Sequence, residues 1–161
     1  MNDLLNLLQE FSRDKLTSML RHQAAARLIG QYDINNTYQY IIAREEVQLS
    51  WVAAAIRDLG GQPGDQVEPD RKVPGKAADA AHALFEEDAR DAQAFVDRWR
   101  PRVEGLTHAR HRSMLRVVLG EVLEQKRFFE QARAGRTDLL GRRGTQAGAS
   151  HGEVLSTRWI E

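Results

Sequence analysis

The chain has 161 residues, with 23 Lys+Arg balanced by 23 Asp+Glu. That balance removes the excess positive charge of a general nucleic-acid binder. The lack of cysteine excludes disulfides, thiolate metal sites and Cys nucleophiles. No apolar run approaches the length of a membrane-spanning helix. The opening Met1-Asn2-Asp3-Leu4-Leu5 has neither a basic n-region nor a long apolar h-region, so a cytoplasmic protein is expected.

Residues 3 to about 32 carry Leu4, Leu5, Leu8 and Phe11, then Leu16, Met19, Leu20, Ala26 and Ile29, which predicts a first helix with a break near Ser12. Asp33-Ile34-Asn35-Asn36 is expected to be a turn, with Asn35 or Asn36 as the cap of the helix that follows. A second helix follows to residue 59, with Tyr38, Ile41, Ile42, Leu49, Val52, Ile56 and Leu59 on its stripe. Gly60-Gly61 ends it. Three of the four prolines, Pro63, Pro69 and Pro74, mark a long loop from 60 to 75. The third helix spans 76 to about 100, where Pro101 stops or kinks it. Thr107 is expected to cap a fourth helix that closes at Gly135. No alternating strand pattern occurs, so the fold class is all-α, a four-helix bundle over residues 1–135 with a tail over 136–161.

Each stripe is interrupted once by a polar residue: Gln23 in the first helix, Glu45 in the second, Asp88 (with Glu87 beside it) in the third and Glu121 in the fourth. A lone buried carboxylate is costly unless it is paired or bound to a metal. Gln23 and Glu45 lie about 16 Å from a turn near 34, and Asp88 and Glu121 about 25 Å from a turn near 104. With the two turns at opposite ends, these depths add to about one helix length, so all four residues share one level. That arrangement needs the middle connection to run the length of the bundle.

The stretches Ala43-Arg44-Glu45-Glu46-Val47-Gln48 and Gly120-Glu121-Val122-Leu123-Glu124-Gln125 complete a pattern that resembles the ferritin-like superfamily, in particular its rubrerythrin-like members. The resemblance covers residues 3 to 135. It implies short turns within each helix pair, one long crossover between the second and third helices, and a di-metal site. Its site positions fall on Gln23, Glu45, Gln48, Asp88, Glu121 and Glu124, and iron or manganese is the implied metal. Gln48 and Glu124 stand where the family has histidine, and Gln23 where it has glutamate. The implied protein therefore has a degenerate carboxylate centre and a structural or binding role without redox activity. The alternative is a non-haem di-metal oxidoreductase or iron handler with carboxylate-rich ligands.

If the carboxylates bind no metal, core hydrogen bonds, water or arginines such as Arg27 and Arg116 are expected to satisfy them. Replacing Glu45 with Leu should then be neutral or stabilising. His22, His108 and His111 offer a further conceivable metal set, of the kind found in DinB-like bundles, but solvent-facing histidines in the charged run Arg110-His111-Arg112 are the favoured reading. The tail holds Leu139, Leu140, Val154, Leu155, Trp159 and Ile160, an apolar group expected to dock on its own bundle or on a neighbouring subunit. A homodimer is expected, with neither nucleic acid nor membrane as partner.

Overall fold

A computed structural model describes residues 2–64, 71 and 77–140. It contains α1 (Asn2–Leu28), α2 (Tyr32–Asp58), α3 (Ala77–Glu104) and α4 (Ala109–Arg133), with no strand among the described residues. α1 packs on α2 and α3 on α4, while thinner seams join α2 to α4 and α1 to α3.

Two apolar clusters fill the interior. The first joins Leu8 and Phe11 of α1, Val52 and Ile56 of α2, Phe95, Trp99 and Val103 of α3, and Leu115 and Val118 of α4. The second joins Ala26 and Ile29, Ile34 and Tyr38, Leu84 and Phe85, and Phe128 and Phe129 from the opposite halves of the same helices. Thus α1 and α4 start, and α2 and α3 finish, around the first cluster. An aromatic group anchors it, with Phe11 edge-on to both Phe95 and Trp99 at ring distances of 5.4 and 5.1 Å.

The element boundaries correct the sequence reading in four places. α1 runs unbroken through Ser12, which is buried. The first turn is residues 29–31, and Asp33 to Asn36 belong to the start of α2. Asn35 is still a capping residue, but for the other helix: its Nδ2 donates to the Ala26 carbonyl at 2.6 Å and to that of Ile29 at 3.3 Å. These are carbonyls that the end of α1 would otherwise leave unbonded. α3 continues through Pro101 to Glu104. His108, rather than Thr107, caps α4, its side chain accepting from the His111 backbone N–H. Gly60 and Gly135 follow their helices with φ of 82° and 100°, where a side chain would be strained.

Asn35→Ala is expected to lower stability by about 1 kcal/mol, because two carbonyls at the end of α1 lose their donor. Urea unfolding measures this. The loop expected over 60–75 is described at residues 60–64 and 71, and the remainder lies outside the described residues. So does the tail from residue 141 onward, including Val154, Leu155, Trp159 and Ile160, and the docking expectation with it. Leu139 is buried against the second cluster.

Candidate functional site

Between the two apolar clusters every helix contributes a buried polar residue: Lys15 from α1, Glu45 and Gln48 from α2, Asp88 from α3 and Gln125 from α4. His22 of α1 joins them from one side. Glu45 is completely buried and sits between two cations. One carboxylate oxygen is 3.0 Å from Lys15 Nζ, and the other is 2.6 Å from His22 Nδ1. Asp88 forms a second node. It accepts from the Tyr38 hydroxyl at 2.5 Å and pairs with Arg71 at 2.8 Å. Arg71 also donates to the Arg21 carbonyl at 3.0 Å, so a residue from the α2–α3 connection is tied into the bundle. The His22 and Tyr38 rings lie 6.1 Å apart and link the nodes.

This electrostatics follows from burial and charge in opposition. Burial works against the imidazolium of His22, but the touching Glu45 carboxylate outweighs it, and the pKa rises. Burial also works against the Glu45 carboxylate; His22 and Lys15 outweigh it, and the pKa falls. Burial first, then Asp88, pushes the Tyr38 phenol well above its ordinary value, so its hydroxyl remains a donor.

Linkage fixes a sign. A raised folded pKa on His22 gives stability that is present below the ordinary histidine value and is lost as pH rises through the raised value. The charges around the ring are Glu45, Asp88 and Lys15. Urea midpoints should therefore fall as pH rises above about 6.5, the ordinary histidine value. The fall should vanish in His22→Phe. An equal fall in that variant would place its origin elsewhere.

The positions named from sequence divide. Glu45 and Asp88 lie in the polar level, and Gln48 lies there with both amide atoms buried and without a hydrogen bond among the described residues. Gln23, Glu121 and Glu124 do not. Gln23 faces a shallow space with Gln39 and Glu46 on the outer seam of α1 and α2. Glu121 is one-fifth exposed and held by Arg44 in a two-pronged pair at 2.8 and 3.1 Å. Glu124 pairs with Arg127 on the surface at 2.5 Å. Glu87 bonds to Arg21. The arginines that satisfy these carboxylates are thus Arg71, Arg44, Arg127 and Arg21. Arg116 instead binds Glu104 at 2.6 Å, and Arg27 is exposed. His108 and His111 adjoin each other at the start of α4, with Nδ1 atoms 2.8 Å apart, while His22 is committed to Glu45.

The sequence reading missed Lys15, Arg71 and Gln125, and grouped His22 with His108 and His111 rather than with this level. A signal existed for Lys15, His22 and Gln125. The buried positions of α1 include Leu8, Phe11, Lys15, Met19, His22, Ala26 and Ile29, and those of α4 include Leu115, Val118, Val122, Gln125, Phe129 and Ala132, all at steps of three and four. The stripes traced through Gln23 and Glu121 were each displaced by one residue.

A cleft of about 370 Å³ opens between α1 and α3 and reaches this level. Lys15, His22, Asp88 and Gln125 are on its walls, with Ala92, Phe95 and Val122 as apolar surface. Among the described residues no group of three His, Asp or Glu side chains is placed to hold a metal ion. The carboxylates at the polar level are bonded to cationic side chains, which oppose a metal there. A scan against protein-family models finds no match for this chain, and neither does a search of curated proteins.

Proposed function

We propose that the chain is a ferritin-like bundle of the rubrerythrin-like kind whose carboxylate centre has become an internal ion-pair layer. On this reading it works as a structural or binding protein without redox chemistry. The observation that carries the proposal is Glu45, completely buried with one oxygen on Lys15 and the other on His22. A carboxylate in a metal centre offers its oxygens to the ion, and an ammonium 3.0 Å away takes that place.

The topology of the proposal is supported by the two clusters. α2 ends in the first and α3 begins in the second, so residues 59–76 have the full bundle to travel. Extended, that stretch reaches about 55 Å, against about 40 Å for a helix the length of α2. A long crossover is therefore sterically easy.

Elemental analysis of protein expressed in iron- and manganese-supplemented medium tests the function. The expected result is far less than one metal per chain, with a melting temperature unmoved by added Fe²⁺, Mn²⁺ or Zn²⁺. Recovery of one or two ions per chain, with a rise in melting temperature, would establish the di-metal alternative instead.

A further inference from the structure

The four long faces of the bundle differ in chemistry. Between α1 and α3, Arg21 pairs with Asp91, Arg98 with Asp14 and Arg102 with Glu10. Between α3 and α4, Arg133 pairs with Glu86 and Lys126 donates to Gln93. The α1–α2 face holds Gln23, Arg27, Gln39 and Glu46 around its shallow space. On the α2–α4 face, by contrast, Tyr40 and Val47 stand 47% and 38% exposed, and Trp51, Met114 and Val117 are only partly covered. The other exposed large apolar side chains among the described residues, Leu28, Tyr32 and Leu140, sit at the end of the bundle that holds the second cluster. An apolar strip along an otherwise charged surface marks a protein contact.

Spacing fixes the levels of this face. Tyr40, Arg44, Val47 and Trp51 follow one side of α2, and Met114, Val117, Glu121 and Phe128 follow one side of the antiparallel α4. Arg44 grips Glu121 with two bonds, at 2.8 and 3.1 Å, and its guanidinium lies 5.9 Å from the Trp51 ring. Counted from that ion pair toward the first cluster, Val47 and Val117 are both about 5 Å along the bundle, and Trp51 and Met114 both about 10 Å. In the other direction the Tyr40 ring stands edge-on to Phe128 at 6.4 Å.

The charges of this face are closed in pairs, Arg44 with Glu121 and Glu124 with Arg127, so it selects no charged partner. It does match itself. A two-fold axis along the bundle keeps every level and lays α2 on α4 of the partner subunit. Arg44 then meets Glu121 of the partner subunit, and the two ion pairs close into a ring of alternating charge. Val47 meets Val117 of the partner subunit, and Trp51 meets Met114 of the partner subunit, a favourable sulfur–aromatic pairing. A two-fold axis across the bundle would instead lay α2 on α2 and bring the two Arg44 guanidinium groups together, like charge on like. Two helices wide, about 20 Å, and about 38 Å long, the face has the roughly 800 Å² per partner of a standard interface.

We infer that the α2–α4 face is the interface of a homodimer whose two-fold axis runs along the bundle, with α2 of each copy against α4 of the other. This goes beyond the proposed function and does not depend on it.

Light scattering of the full chain at about 100 µM should give twice the chain mass. Val47→Glu places a carboxylate in the interface twice. It should keep the helical far-UV spectrum, because Val47 is open in the single chain, and weaken the dimer at least about a hundredfold, tenfold for each copy. The chain has no cysteine, so single replacements report contacts directly. Val47→Cys and Val117→Cys proteins, mixed and oxidised, should cross-link with each other far faster than either does with itself. A monomer at that concentration, as for a face that serves a different protein, would overturn the proposal. So would a dimer untouched by Val47→Glu, or a Val47→Cys protein that joins mainly to itself, the signature of the axis across the bundle.

Discussion

Glu45→Leu is expected to destabilise the protein by about 3–5 kcal/mol near neutral pH. The reason is the residue left behind. Lys15 is almost fully buried, and Glu45 is the carboxylate it pairs with. Without it the ammonium must be desolvated alone or lose its proton, and His22 loses the anion that holds its own proton. This reverses the outcome expected from sequence, where Glu45 was a charge whose removal would be neutral or favourable. That outcome should instead belong to the pair: Lys15→Met together with Glu45→Leu removes both charges and should recover most of the loss. Urea unfolding of the two single variants and the double variant gives the coupling directly. A Glu45→Leu protein within about 1 kcal/mol of the parent would mean that water reaches Lys15.

Phe11→Ala should cost a similar amount, about 3–5 kcal/mol, by a different route. Phe11 has no exposed surface and touches two aromatic rings edge-on, so the variant loses transfer energy, two ring contacts and the filling of its space. Unlike the Glu45 variant, its loss should be nearly independent of pH between about 6 and 8.5, because no titrating partner is touched. Measured unfolding at both ends of that range separates the two mechanisms.

The contrast shows why the bundle was easier to read than its centre. Four amphipathic stripes, a proline cluster and two terminal glycines place four helices almost regardless of detail, since a stripe misread by one residue still predicts a helix. The same error is decisive for a site. On α1 it exchanges buried His22 for Gln23, and on α4 it exchanges buried Val122 and Gln125 for the Arg44-bound Glu121 and the Arg127-bound Glu124. Lys15 was hidden by its chemistry, because a lysine on an apolar stripe reads as solvated until its carboxylate is known. Arg71 was hidden by its location in a loop that periodicity cannot place. Glu45 and Asp88 were legible because an acid in mid-stripe demands a partner; which partner was a tertiary fact. The capping exchange at Asn35 has the same origin. The residue type announces a cap, and only the packing of the turn shows which helix it serves.

The polar layer also bears on how many ways these four helices could align. Apolar stripes tolerate sliding: a helix displaced by one turn, about 5.4 Å, still presents leucines and phenylalanines to its neighbours. Ionic partners tolerate it less, because the same slide of α1 would break the two-sided hold of Lys15 and His22 on Glu45. The layer contributes little net stability compared with apolar residues of equal volume, yet it penalises every shifted register steeply. Its value to the protein is uniqueness of the native alignment. A variant with the layer made wholly apolar is therefore expected to keep its helix content and stability while losing the dispersion of its amide spectrum, as several registers come to share the population.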